Sequence, residues 1–308
     1  RLVSAAAPTD QVGFVDTTMR DGSQSLWAMG IRHGMMAEIA GDLDRAGFSV
    51  IEVPANAIFF KKMVRDLKED PWETMRMLAR TITRTPTACM GGAGGNLNGF
   101  GTPSPPALGE LFARKLAEIG VIKRAQLTAN TADQLTRTLP DDVPRARSWG
   151  LTVALAIAFT ISPRHTDEHY AEVTRRCAAL RPDVIYLKDS GGLLTVDRIR
   201  TLLPVMLVEA GDIPVELHSH CTTGLAPVVY LEALRLGVRT LHCGVPPLAD
   251  GPAQPSVLDV AHNARVLGYE PTLDADLLRS VSERLAGFAR RDGLPVGAPQ
   301  PYDADQYR

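Results

Sequence analysis

The chain has 308 residues, enough for one large domain or two small ones at roughly 100–200 residues per domain. Its 33 Lys+Arg against 35 Asp+Glu leave a formal charge of −2. That balance argues against nucleic acid or an anionic membrane surface as a partner, because such partners select strongly basic surfaces. With 45% hydrophobic and 22% charged residues the chain can bury a core, which excludes disorder over most of its length. No run approaches the roughly 18 apolar residues of a membrane span. The opening RLVSAAAPTD has no apolar signal core, so the expected compartment is the cytoplasm, and Arg1 at the start is read as a sign that upstream residues are missing. Cys89, Cys177, Cys221 and Cys243 are too far apart for a CxxC zinc knuckle or a disulfide framework.

In chain order, short β-rich runs alternate with helical stretches. VGFVDTT (12–18) comes first, then a helix over 34–48 with Met36, Ile39, Ala40 and Leu43 at i, i+3, i+4, i+7 and a stop at Gly47. SVIEVP (49–54) precedes a helix over 70–81, and PTACMG (86–91) precedes one over 105–120. IKRAQLT (122–128) leads into a weaker helical stretch over 131–150, interrupted by Pro140 and Pro144. TVALAIAF (152–159), VIYLKD (184–189) and VELHSH (215–220) are followed by helices over 166–182, 195–211 and 225–237, and TLHCGV (240–245) is the eighth run. The runs are mostly apolar rather than alternating, as in parallel strands covered on both sides. Eight such strands predict an α/β fold, a (β/α)8 TIM barrel over 12–272. Residues 1–11 are then an N-terminal extension, and 273–308 a short C-terminal helical extension ending in the Pro/Gly-rich GLPVGAPQPYDADQYR. A doubly wound open sheet is the alternative, but DTTMRDGSQS is not the Gly-rich phosphate turn expected after its first strand.

In a parallel barrel the active site lies at the C-terminal ends of the strands. There the sequence places Asp16, Arg20, Asp21 and Gln24 after strand 1, Lys188 and Asp189 on strand 6, His218 and His220 on strand 7, and His242 and Cys243 on strand 8. His218-Ser219-His220 puts two imidazoles on one side of a strand, where with Asp21 they form a usual donor set for a divalent Zn, Mn, Co or Fe ion. The competing reading is a pair of structural histidines. Lys188 is either a rim lysine paired with Asp189 or Asp21, or a lysine of depressed proton affinity or carbamylated beside a metal. Gly22 and Gly191-Gly192 allow tight loops or close backbone approach to a ligand. The glycine-rich GGAGGNLNGFG (91–101) reads as a carboxylate or phosphate cradle or as a flexible lid. Cys221 reads as a small buried side chain, and His242 and Cys243 as core or as residues behind the ligands.

These residues resemble a known family. DTTMRDGSQS (16–25) is similar to the opening signature of the pyruvate carboxyltransferase/HMG-CoA lyase superfamily of metal-dependent barrels (the DRE-TIM metallolyases). KDSGGLL (188–194), HSHCTTG (218–224) and the QPS at 254–256 resemble its carboxyltransferase branch. That branch includes the carboxyltransferase domain of pyruvate carboxylase, the α subunit of oxaloacetate decarboxylase and the transcarboxylase central subunit. The likeness runs from about residue 12 to about residue 275. It implies that Asp21, His218 and His220 ligate a divalent metal (Zn, Mn or Co) and that Lys188, carbamylated in this branch, completes the site. It implies that Arg20, with Gln24 beside it, holds a 2-oxo acid such as pyruvate or oxaloacetate. The reaction implied is carboxyl transfer or decarboxylation through an enolate, with biotin on a separate carrier protein as the CO2 carrier. Homodimers are common in the family.

The departures from the branch bear on the substrate pocket. CMGGAGGN (89–96) lacks the strand-3 Arg that grips the substrate carboxylate, and KRAQLTAN (123–130) lacks the branch's Phe-Asp pair. Cys221 replaces an Asp after the second His, and Pro246, Pro247 and Pro252 replace polar neighbours of the QPS. No biotin-carrier segment or C-terminal helical region with the branch's proton-shuttling Thr is recognised. Two other functions therefore stand beside the first. One is a biotin-independent, metal-dependent carbon–carbon lyase or aldolase of the same superfamily, and the other is a non-catalytic scaffold or regulatory barrel.

Overall fold

A computed structural model describes residues 10–91 and 105–307. The eight apolar runs form the parallel strands β1 (Gln11–Asp16), β2 (Val50–Glu52), β3 (Thr87–Met90), β4 (Arg124–Thr128), β5 (Thr152–Ala158), β6 (Val184–Asp189), β7 (Val215–Ser219) and β8 (Thr240–Cys243). Each strand pairs in parallel with the next, and β1 pairs with both β2 and β8, so the sheet closes into the expected (β/α)8 barrel. The alternative of an open doubly wound sheet is thereby excluded.

The main core lies between strands and helices. Phe14, Ile51, Leu155, Ile185, Leu187 and Leu241 face outward onto Met36, Ile39, Leu43, Leu202 and Val229. The predicted helices form where periodicity placed them, at His33–Arg45, Pro71–Thr81, Pro106–Ile119, Asp167–Ala179, Val196–Ala210, Ala226–Arg235 and Ala275–Asp292. Several start at a side-chain cap. Asp70, Thr166, Thr195 and Asp274 accept from backbone N–H groups of their own first turns, satisfying donors that have no intrahelical partner.

Several elements differ from the expectation, among them an unforeseen helix at Ala57–Lys62. The stretch over 131–150 splits into a wide turn, Gln134–Thr138, and a helix Leu139–Ser148 that keeps Pro144 inside. Pro140 sits in that helix's first turn, where its missing N–H has no bond to lose. Beyond β8 a helix absent from the periodicity reading, Val257–Val266, is capped by Ser256 of the QPS. The short strand β9 (Glu270–Pro271) then pairs with β1 below the barrel.

The barrel interior is unusual in its polarity. Small apolar groups, Val15, Val50 and Ala88 on one side and Ala154 and Ala156 beside the larger Tyr186 on the other, leave room for Arg124, Gln126, Glu216 and His242, all buried. The segment after Ala275–Asp292 crosses the mouth near β1 and β8. Trp27 Nε1 donates to Pro295 O at 2.8 Å, and Gly297 N donates to Pro247 O at 2.8 Å.

Asp44, at the end of the first long helix, ties the turn before β3 to the barrel. Its carboxylate accepts from the backbone N–H of Thr83, Arg84 and Thr85 at 2.9, 3.0 and 2.7 Å. Burial alone would raise its proton affinity, but these donors outweigh burial and hold it below the ordinary aspartate value. Its contribution is therefore present above that ordinary range and lost as pH falls through the lowered folded value. Asp44→Asn is expected to destabilise the fold by about 1–3 kcal/mol near neutral pH, because a buried donor loses its acceptor. Urea denaturation checks this, and an unchanged midpoint would contradict it.

Candidate metal centre at the barrel mouth

After β1 the chain does not run on as a loop but coils at once. Thr18–Gly22 forms a wide helical turn followed by the short helix Ser23–Leu26. Thr18 anchors the coil, since its N–H and hydroxyl both donate to Asp16 Oδ1 and its hydroxyl oxygen accepts from Val245 N at 2.9 Å. Asp16 is fully buried with Oδ2 unpartnered, and burial pushes its carboxyl up to about 7 despite the Thr18 donors. The coil turns Arg20 and Asp21 into the mouth, where both are buried. Gly22 is close-packed here, but against the backbone of Leu248.

Strands β6 and β7 bring the other groups. Their register sets Lys188 beside His218. Lys188 Nζ lies 3.0 Å from His218 Nε2 and 3.6 Å from Asp21 Oδ2. Its partner is therefore Asp21 rather than Asp189. The Asp189 carboxylate turns away and accepts from Leu193 N, Leu194 N and Ser219 Oγ, which shapes the KDSGGLL loop. Gly192 supplies a positive φ of 63° in that loop, close against His220 and Thr222.

The three expected ligands converge. Asp21 Oδ2 is 3.3 Å from His218 Nε2 and 3.7 Å from His220 Nε2, and the two imidazole nitrogens are 3.3 Å apart. A tetrahedral ion with bonds of about 2.0–2.2 Å has ligand–ligand edges of about 3.3–3.6 Å, so these atoms form one face of such a polyhedron. Among the described residues this is the group of three or more His, Cys, Asp or Glu side chains close enough to share an ion. Gln254 of the QPS completes the cluster. Its Nε2 meets both histidine nitrogens, at 2.9 and 3.2 Å, while its buried Oε1 has no partner. Rotating that amide by half a turn would present an oxygen to the same point. The donor set therefore fits a divalent cation.

Charge reinforces the geometry. Burial would raise the Asp21 carboxyl, but Arg20, His220 and Lys188 hold it well below the usual carboxylate range. Burial lowers the proton affinity of Lys188 against the pull of Asp21, and drives that of His218 well down, with Lys188 adding to the effect. A site that keeps the His218 imidazole unprotonated and the Asp21 carboxylate ionised is prepared for a cation.

Arg20 is largely committed within the protein. Its Nε donates to Glu52 Oε2 at 2.8 Å, and Nη1 pairs with Asp21 at 2.9 Å. Nη2 lies 2.5 Å from the same Glu52 oxygen as an ion pair, yet has no hydrogen-bond partner. Gln24 lies half-buried on Ser23–Leu26 and makes no hydrogen bond to the three ligand candidates. The four cysteines are free and buried, Cys221 and Cys243 among them, and burial pushes both thiols up. The glycine stretch lies outside the described residues from position 92 onward.

Glu52, Gln126, Glu216 and Gln254 were not foreseen as site residues. The signal for the first three is a charged or amide side chain inside an apolar strand run, on the face pointing into the barrel. Gln126 shares a face with Arg124, which reaches across to Glu216, and both of its amide atoms are buried without a partner.

No protein-family model matches the chain. A pyruvate carboxylase subunit of Methanocaldococcus jannaschii is 35% identical over 273 residues, covering 88% of this chain and 47% of that protein. The methylmalonyl-CoA carboxyltransferase 5S subunit of Propionibacterium freudenreichii is 26% identical over 285 residues, covering 92% of this chain and 55% of that protein. The chain thus spans about half the length of the curated relatives it matches. In fold, the carboxyl transferase domain of Rhizobium etli pyruvate carboxylase, solved with pyruvate, superposes with a TM-score of 0.86 at 22% identity, covering 97% of this chain and 51% of that one. Fold and mouth together define a (β/α)8 barrel with its polar groups gathered at the strand C-termini. The chain belongs to the carboxyltransferase branch of the pyruvate carboxyltransferase/HMG-CoA lyase superfamily.

His218→Ala and His220→Ala are each expected to remove most bound metal, because each deletes one of few donors. Elemental analysis of purified protein checks this, and stoichiometric metal retained in both variants would sink the assignment.

Proposed function

We propose that this barrel is a metal-dependent carboxyltransferase or decarboxylase component acting on a 2-oxo acid of the pyruvate/oxaloacetate kind, with biotin on a separate carrier protein. The observation that carries the reading is the convergence of Asp21, His218, His220 and Lys188 at the mouth of a barrel 35% identical to a pyruvate carboxylase subunit. Asp21, His218 and His220 would hold a divalent Zn, Mn or Co ion, and Lys188, once carbamylated, would complete its surroundings. The bound ion would supply Lewis-acid stabilisation of negative charge developing on the substrate oxygen.

The protein's own groups define the remaining roles. In oxaloacetate decarboxylation the bond from C3 to the departing carboxyl group breaks and its electrons stay behind as the pyruvate enolate. The CO2 passes to the ureido nitrogen of biotin, and the proton that this nitrogen loses balances the one taken up at C3. A buried mouth keeps water from that enolate and strengthens every charge contact around it. Arg20 fixes Asp21 through a direct ion pair, and its Nη2, ion-paired with Glu52, has a second N–H that would be turned to substrate. Lys188 sits where its lowered proton affinity favours the free amine that reaction with CO2 requires, the nitrogen lone pair forming the new C–N bond as a proton leaves. Gln24, on the neighbouring helix, lines the approach. Dimeric association is part of the same proposal. Among the described residues no helix is long and apolar enough to cross a membrane.

A second reading, a biotin-independent metal-dependent lyase or aldolase, draws support from Gln126. Its unpartnered amide occupies strand 4 where the branch carries Phe-Asp, and such an amide suits a substrate with a further hydroxyl or carbonyl group. The deciding experiment is oxaloacetate decarboxylation by metal-analysed protein, with and without free biotin. Biotin-stimulated pyruvate release, lost in a folded Lys188→Ala variant, is the expected outcome. Metal-loaded protein that ignores both oxaloacetate and biotin would overturn the first reading in favour of the second, and wild-type turnover by Lys188→Ala would refute the role given to that lysine.

A further inference from the structure

We propose that Arg124, Glu216 and His242 form a hydrogen-bonded column through the barrel interior that locks His218 in the tautomer whose Nε2 lone pair faces the mouth. This makes Glu216 and His242 positioning residues for the metal centre, and in that respect the inference rests on the reading of that centre.

The column is a chain of one-way hydrogen bonds. Arg124 on β4 meets Glu216 on β7 as a fork, Nη1 to Oε1 at 2.9 Å and Nη2 to Oε2 at 2.6 Å. A guanidinium only donates, so both Glu216 oxygens are acceptors. His242 Nε2 lies 2.9 Å from the same Oε2. A carboxylate has no proton to give, so His242 donates from Nε2. In a neutral imidazole this leaves Nδ1 bare, and His218 Nδ1 stands 3.2 Å from it. His218 must then donate from Nδ1, which frees Nε2 as a lone pair among Asp21, His220 and Lys188.

Two further observations fit. Tyr186 stacks on the His242 ring at 5.1 Å and 25°, fixing the plane through which the chain passes. His220 is set independently, because its Nδ1 lies 2.6 Å from the carbonyl oxygen of Pro252, which can only accept. Both imidazoles therefore point bare nitrogens at one spot 3.3 Å across, an arrangement that repels unless a positive centre or a donor such as the Gln254 amide lies between them. Arg124, Glu216, His218 and His242 are all buried, so water offers no competing partner.

The rival arrangement is a doubly protonated His242 donating to His218 Nδ1, with His218 Nε2–H directed at Asp21 Oδ2, 3.3 Å away. Nitrogen-15 NMR of the histidines in the metal-free full chain separates the two. The column requires Nδ1–H on His218 and a singly protonated His242 carrying Nε2–H. In Glu216→Gln the amide would keep its oxygen toward Arg124 and turn its NH2 toward His242. That reverses every bond above it and leaves His218 with Nε2–H. The variant should therefore show the inverted tautomer and bind Zn2+ about 10- to 100-fold more weakly, with its thermal melt confirming the fold. If Glu216→Gln does not fold, His242→Phe keeps the stack, removes the bonds, and is expected to weaken Zn2+ binding by a similar factor. An unchanged His218 tautomer and Zn2+ affinity in a folded variant would overturn the proposal, as would a doubly protonated His242 in the wild type. Wild-type protein with the expected tautomers but no Zn2+ binding would support the column and sink the metal reading instead.

Discussion

The pairing of Lys188 with His218 across β6 and β7 fixes almost everything at the mouth. In a parallel ladder a slip of one residue would turn His218 and His220 to the outer face and point Ser219 into the barrel in their place. The register therefore decides whether two imidazoles and an amine share one space or face the surrounding helices. It is held from outside by the apolar packing of Leu187 and Leu217 against the helix layer, and from inside by Glu216 on Arg124. The coil after β1 brings Asp21 to that fixed pair, and the QPS segment brings Gln254.

The barrel was legible because its signal is repetitive. Eight apolar runs, each bounded by turn residues and followed by an amphipathic stretch, have few other solutions. His218 and His220 were legible because i and i+2 on a strand share a face whatever the surroundings. Asp21 needed more, since its approach depends on a coil of five residues, Thr18–Gly22, that strand periodicity cannot foresee. Its place after the first strand made it a candidate, and the resemblance to a known signature singled it out.

The rest was hidden by distance along the chain. Arg124 and Glu216 are 92 residues apart, and nothing local to either shows that they meet. Glu52 sits within SVIEVP and Gln126 within IKRAQLT, where a single polar residue is easily taken for a strand end. Only closure of the barrel shows that both point inward. Lys188 illustrates the same limit from the other side. Its neighbour Asp189 looked an equally good partner, yet alternation along the strand sends that carboxylate away to cap the next loop. The helix Val257–Val266 escaped notice because the proline-rich approach to the QPS breaks any periodic pattern before it.

The most direct measurement is anomalous diffraction at a metal absorption edge from crystals of the metal-loaded chain. One strong peak is expected within about 2.0–2.2 Å of Asp21 Oδ2, His218 Nε2 and His220 Nε2. A peak at any other side chains, or histidines bridged only by hydrogen bonds with the metal elsewhere, would contradict it.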